Sequence, residues 1–349
     1  MIEKFTVSRD DGIYHAWPDI ALAPSGKLIC VFSECTSHDD RSYTRIVCVS
    51  SEDRGRTWTG KRAISEATHG REAYWNCARI TQLRDGRLAV VCDFIRSSEN
   101  ASDAEINLSN HIWYSSDDGA SWEGPFKMNG VFGIVPDKLA ELENGDWIIG
   151  AHSCDSSTGV WTQRCRLSED KGKTWKGPFI IAQSNNLKLC EGAIIEISAN
   201  KLVCFMRENS QLGLPAYKSI SEDGGRTWSK LYEYPIPGCH RPVAGKLKSG
   251  EMLLTCRYCP EAAPFPLPGK RFQNTFAVIA GTESALAETS RVALRIMPLD
   301  YDRARQPDTG YTGWVQFSDG EIYVVNYIID DAPKGQIRGY SLFINDFYI

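Results

Sequence analysis

One hairpin pattern recurs six times along the chain, and it limits the possible folds more than any other feature. An apolar run, a polar turn built on Gly or Asn, and a second apolar run follow in order. The copies read DIALAPSGKLICVFSE, ARITQLRDGRLAVVCDF, KLAELENGDWIIGAHS, GAIIEISANKLVCFMRE, RPVAGKLKSGEMLLTCRY and TGWVQFSDGEIYVVNYI. Asp-Gly, Asn-Gly and Ser-Gly between β-branched or aromatic runs are hairpin signals, because the turn demands a positive φ. The turn residues Gly26, Gly86, Gly145, Asn200, Gly250 and Gly320 fall roughly 50 to 70 residues apart, the spacing of propeller blades. The expectation is an all-β, six-bladed β-propeller of four-stranded antiparallel blades, formed as a single domain over residues 1–349. Little helix is expected. The Pro-rich stretch from Pro260 to Pro268 cannot continue a central strand and reads as a long loop in the fifth blade.

A second element falls between the hairpins. Ser51-Glu-Asp53-Arg-Gly55-Arg-Thr57-Trp58 returns as Ser115 to Trp122, Ser168 to Trp175 and Ser221 to Trp228. The pattern describes a tight turn in which Asp accepts backbone N–H bonds, Gly takes a left-handed conformation and Trp packs back between strands. Together with the hairpins, these four copies resemble the aspartate-box (BNR) repeats of the sialidase (neuraminidase) superfamily over nearly the whole chain. The resemblance implies that the boxes lie on the outer rim and serve the fold rather than the chemistry.

The differences between blades carry the functional reading. Nine positions before the turn residues stand Trp17, Cys77, Pro136, Glu191, Arg241 and Tyr311. In a propeller these equivalent positions converge on one mouth of the central channel. A carboxylate, a guanidinium and a phenol interrupt an otherwise apolar repeat there, where a grafted site would lie.

The resemblance then implies roles. Asp-Thr-Gly-Tyr311 is similar to the family's nucleophile motif, and Cys-Glu191-Gly-Ala-Ile-Ile-Glu to the motif of the Glu that raises the nucleophilicity of that phenol. A neutral phenol suits a substrate that bears a carboxylate, which would repel a carboxylate nucleophile. Arg207 and Arg271 match two members of the substrate-carboxylate arginine triad, for which a guanidinium fork is suited. Asp39, fourteen residues before Asp53, matches the acid/base residue in the loop of the first blade. The first triad arginine is missing: His15-Ala16-Trp17-Pro18 puts Ala16 in its place, at the cost of a charge-assisted fork worth about 1.5–3 kcal/mol. Arg41 and Arg241 are the cations available to replace it. Trp17 and His240 suit stacking on a sugar face and hydrogen bonding to hydroxyls.

The leading expectation is a retaining exo-glycosidase acting on a terminal acidic sugar, a sialic or related ulosonic acid. The missing arginine keeps two others open: a different carbohydrate-active propeller (another exo-glycosidase or a uronate lyase) and a non-catalytic glycan-binding propeller. A net charge of −5 without a basic stripe argues against nucleic acid as a partner. No apolar run is long enough to cross a bilayer, so no membrane partner is expected. Neither metal-ligand clusters, nor a Gly-rich phosphate loop, nor a serine-hydrolase elbow occurs, and no cofactor or metal is expected. Most of the twelve cysteines sit singly in apolar strands and read as reduced thiols. With no signal peptide at the start of the chain as given, that implies a cytoplasmic protein, or a secreted one whose leader has been removed. Oligomeric state is left open.

Overall fold

The six hairpins become the first two strands of six antiparallel sheets in the computed structural model, which describes residues 2–96, 108–131, 133–260 and 272–348. The first strands of the blades are Tyr14–Leu22, Ala73–Gln82, Ala140–Glu141, Leu189–Ser198, Cys239–Lys246 and Thr309–Gln316. Their partners are Leu28–Cys35, Leu88–Arg96, Trp147–Cys154, Lys201–Glu208, Met252–Tyr258 and Ile322–Ile328. The fold is a six-bladed β-propeller of four-stranded antiparallel sheets. In the first blade the outer edge is split: Arg62–Ala63 and Thr68–His69 pair separately with the third strand, Tyr43–Ser51. Helix is limited, among the described residues, to Thr282–Leu286 and a 3-10 turn at Ile344–Tyr348. The Pro260 to Pro268 stretch, apart from Pro260 itself, lies outside the described residues.

The chain divides into two compact units, residues 1–139 with 311–349 and residues 140–310. Each holds three blades. In the first unit, the N-terminal strand Glu3–Ser8 pairs with the C-terminal strand Gln336–Leu342, from Glu3 opposite Ser341 to Ser8 opposite Ile337. The sixth blade is therefore made from both ends of the chain. Apolar side chains of successive sheets fill the spaces between blades; Phe32, Val47, Tyr323 and Val325 belong to one such core, and Phe205, Leu254 and Val278 to another in the second unit. Burial of each large side chain of this kind contributes about 1.5–3 kcal/mol.

Each aspartate box joins the third and fourth strands of its blade. Asp53 accepts the Thr57 amide at 2.8 Å and the Thr57 hydroxyl at 2.6 Å, while Ser51 Oγ accepts the Gly55 amide at 2.7 Å. Gly55 has φ +85°, and the Trp58 indole donates to its carbonyl at 3.1 Å. The same Asp-to-hydroxyl bond recurs at 2.6 Å for Asp117, Asp170 and Asp223. Hydrogen bonds from the Thr57 hydroxyl and amide hold the Asp53 carboxyl down to about 2.

The boxes also tie blades together. A Cβ on Gly55 would overlap the Tyr323 ring of the sixth blade, whose hydroxyl donates to Gly55 O at 2.8 Å. Arg54 and Arg56 of that box form ion pairs with Glu321 at 2.6 and 2.8 Å. In the second unit Gly225 packs on Ile148, and Arg226 reaches Glu169 of the preceding blade at 3.2 Å. A turn motif that looks purely local is thus the contact by which one blade grips its neighbour.

Candidate functional site

The polar residues are presented by a recurring irregularity in the strands. In four blades the pairing of first and second strand skips a residue: between Ala16 and Asp19, Trp75 and Ala78, Cys190 and Ala193, and His240 and Val243. A bulge of this kind re-aims one side chain out of the strand's alternation. Trp17, Glu191 and Arg241 sit on it with φ of 52°, 50° and 48°. Such left-handed backbone costs a non-glycine residue on the order of 1–3 kcal/mol.

The other blades show how residue type shifts the position. In the third blade the left-handed residue is Val135 (φ 50°), one before the expected Pro136. Proline's ring fixes φ near −65°, so the conformation moves to its neighbour. In the sixth it is Gly310 (φ 102°), which leaves Tyr311 extended in the strand. Cys77 has no positive φ, although its blade keeps the bulge.

A second set of residues holds these bulges. Sixteen positions after Trp17, Cys77, Pro136, Glu191, Arg241 and Tyr311 come Ser33, Asp93, His152, Arg207, Arg257 and Tyr327, all on second strands. Four of them reach the bulge segment of the following blade. Ser33 Oγ donates to Asn76 O at 2.6 Å, and Asp93 accepts the Val135 amide at 2.9 Å. His152 Nδ1 accepts the Glu191 amide at 3.3 Å, and Arg257 Nε donates to Thr309 O at 2.5 Å. Of this set, the sequence reading singled out only Arg207. The constant spacing of sixteen was the available signal.

In the first unit, Trp17 is buried in a cluster with Tyr311, Tyr327, Val135 and Cys77. Tyr311 lies edge-on to Tyr327, ring centroids 6.1 Å apart at 78°, and is 7% exposed. Arg41 places its guanidinium carbon 3.8 Å from the Trp17 ring centroid, and His38 meets the same indole edge-on at 5.4 Å. Asp39 is exposed in that loop. Its neighbour Asp40 instead closes the loop by accepting the Ser42 amide at 3.0 Å. Ala16 is completely buried.

In the second unit, Arg207 Nη1 donates to both Glu191 oxygens at 3.2 and 3.1 Å, and Nη2 donates to Asn209 Oδ1 at 2.6 Å. Burial, and then the cations Arg241, Arg207 and Arg164, push His152 down to about 4 despite the opposing Glu191 charge. Its ring stacks on Trp161 at 5.5 Å. Arg241 is fully buried and His240 nearly so; His240 stands opposite Arg257 in the ladder. Gly310 packs against the backbone and Cβ of Arg257. Arg271 lies outside the described residues. Thus Trp17, Arg41, His38 and Tyr311 share one neighbourhood in the first unit, while Glu191, Arg207, Arg241 and His152 share one in the second.

Residues 26–324 match the family described as BNR repeat-like domain. The chain belongs to the BNR repeat-like family. Solved structures share its fold. A protein of unknown function from Dyadobacter fermentans superposes with a TM-score of 0.81 at 20% identity, covering 98% of this chain and 99% of that one. A mutant form of the NanB sialidase from Streptococcus pneumoniae gives 0.69 at 14% identity, covering 98% and 71%. The intramolecular trans-sialidase from Ruminococcus gnavus gives 0.63 at 13%, covering 96% of each chain. Likeness at these identities carries the fold of this BNR repeat-like propeller and not its reaction. Comparison with curated protein sequences gives no match.

Proposed function

We propose that this propeller is a retaining exo-glycosidase that removes a terminal acidic sugar, a sialic or related ulosonic acid, by way of a covalent intermediate on Tyr311. One observation carries the reading. A left-handed position that the fold repeats in several blades is occupied by an indole at Trp17, a carboxylate at Glu191 and a guanidinium at Arg241, and a phenol at Tyr311 directly follows Gly310, its counterpart in the sixth blade. Left-handed strain at several such positions is the kind of cost that functional sites retain.

In this reading the Tyr311 oxygen attacks the anomeric carbon, and Glu191 has the role of base toward that phenol. Asp39 gives a proton to the departing glycosidic oxygen, then takes one from the water that releases the sugar. The twelve free thiols, eleven of them buried, support the cytoplasm as the place of work.

The test is a panel of aryl glycosides of sialic acid, other ulosonic acids and uronic acids. Tyr311→Phe is expected to abolish turnover of whichever glycoside is active, and unchanged turnover in that variant would remove the mechanism. Two observations favour a second reading, a different carbohydrate-active propeller or a non-catalytic glycan binder: Arg207 is engaged by Glu191, and Ala16 is buried. An unsaturated product absorbing in the near ultraviolet would identify a lyase. Glycan binding without turnover would identify the binder.

A further inference from the structure

In the first unit a buried arginine holds the backbone behind two of the site residues. Two positions after Trp17, Cys77, Pro136 and Tyr311 stand Asp19, Arg79, Lys138 and Gly313, and these four meet. Asp19 and Arg79 are fully buried, with Arg79 Nε 3.4 Å from Asp19 Oδ2. Lys138 Nζ stands 2.9 Å from Asp19 Oδ1, and Asp19 accepts the amides of Ile20 at 2.9 Å and Ile80 at 3.0 Å. Gly313 makes room for this arrangement, because a Cβ there would overlap Asp19 Oδ1.

The guanidinium also grips backbone. Arg79 Nη1 donates to Thr312 O at 3.0 Å and to Pro18 O at 3.3 Å. Thr312 and Pro18 are the residues that directly follow Tyr311 and Trp17. Both stretches are weakly held by other means. Pro18 lies in the segment that strand pairing skips between Ala16 and Asp19, next to the left-handed Trp17, and proline brings no amide of its own. Tyr311 and Thr312 stand between Gly310 and Gly313, and glycine widens the conformations open to the backbone.

A buried ion pair is by itself weak evidence of stabilisation, since apolar residues often replace one without loss. This fold does without charge at the matching positions after Glu191 and Arg241, which are the buried Ala193 and Val243. What Arg79 does that an apolar side chain could not is to bind two carbonyls at once. A guanidinium nitrogen carries two in-plane hydrogens, one for each carbonyl, while the rigid fork turns Nε toward Asp19.

We propose that Arg79 is a positioning residue for the site: it fixes the backbone behind Tyr311 relative to that behind Trp17, and Asp19 fixes Arg79. The inference rests on the glycosidase reading for the role of Tyr311 as nucleophile, but the hold on Tyr311 is also measured without turnover. A reacting group displaced by about 1 Å loses on the order of a hundredfold in rate.

The experiment compares the full native chain with Arg79→Lys and with the doubly neutral Asp19→Asn/Arg79→Gln. Arg79→Lys keeps the charge beside Asp19 and loses the fork that spans two carbonyls. The double variant removes both charges together, so no buried charge is stranded, and it serves if Arg79→Lys does not fold; thermal melts check both. One readout is kcat and KM on the aryl glycoside that the native protein turns over. The other is the fluorine NMR spectrum of protein labelled with fluorotyrosine, in which the Tyr311 signal is the one missing from Tyr311→Phe.

Arg79→Lys is expected to lower kcat about tenfold to a hundredfold with KM unchanged. It should also shift or split the Tyr311 signal while the tyrosine signals of the second unit stay in place. A purely structural ion pair predicts neither change, because lysine preserves it. Unchanged kcat, a change in KM alone, or a Tyr311 signal that stays in place in a folded variant overturns the proposal. The glycosidase reading fails separately. If the native protein turns over no aryl glycoside, a Tyr311 signal moved by Arg79→Lys still upholds the hold, and an unmoved one removes it.

Discussion

At the residue scale, Glu191 shows how the site is kept in a conformation it would not choose. Its left-handed backbone is secured by Arg207 on the side chain and by His152 on the amide. Both carboxylate and guanidinium are nearly buried, with side-chain exposures of 7% and 11%. Removing one partner takes the ion-pair counter-charge from a nearly buried group. Arg207→Met should therefore cost about 3 kcal/mol in urea unfolding, and adding Glu191→Gln to it should recover part of the loss; a double variant no more stable than the single one would deny the pairing its role. His152 adds a pH dependence. As acceptor of the Glu191 amide, its Nδ1 carries no proton, and burial holds its value near 4, against 6.5 when unfolded. The unfolded chain therefore binds the proton first, so stability is complete above about 6.5 and drains as pH falls toward 4. Unfolding midpoints between pH 7.5 and 4.5 should decline on this account, and less steeply in His152→Gln. His152 lies on a neighbouring blade, thirty-nine residues from Glu191, which is why local pattern did not reveal it.

At the scale of elements, turn chemistry decided what could be read in advance. The hairpin turns and the aspartate boxes are set by residues within a few positions of each other, and they occur where the motifs predicted them. The shift from Pro136 to Val135 shows the limit: the repeat marked the position, but proline's fixed φ moved the conformation by one residue. The grip of the first box on its neighbour was hidden for a different reason, since Tyr323 lies 268 residues from Gly55. Two glycines with nearly equal φ separate turn strain from this grip. Gly26 (φ +88°) has open space where a Cβ would stand, whereas Gly55 (φ +85°) has the Tyr323 ring. Gly26→Ala should cost about 1 kcal/mol of backbone strain, and Gly55→Ala about 2–4 kcal/mol because overlap adds to it. Equal losses in chemical denaturation would mean that the box is only a turn.

For the whole molecule, all twelve cysteines are free thiols, and Cys154 is the one not buried. Burial raises others, Cys165 to about 12, so they are neither accessible nor ionised near neutral pH. A disulfide reagent at neutral pH should titrate about one thiol in the folded protein and twelve after denaturation. Rapid reaction of several would show that the blades open readily. The pairing of Glu3–Ser8 with Gln336–Leu342 has a further consequence for synthesis on the ribosome. Residues 140–310 form a contiguous unit whose blades can assemble while the remainder is still being made. The other unit cannot close in that order, because Glu3–Ser8 must wait for Gln336–Leu342 to leave the exit tunnel. While the residues between them are being made, Glu3–Ser8 is an unpaired edge, open to chaperones and to mispairing until its partner strand follows.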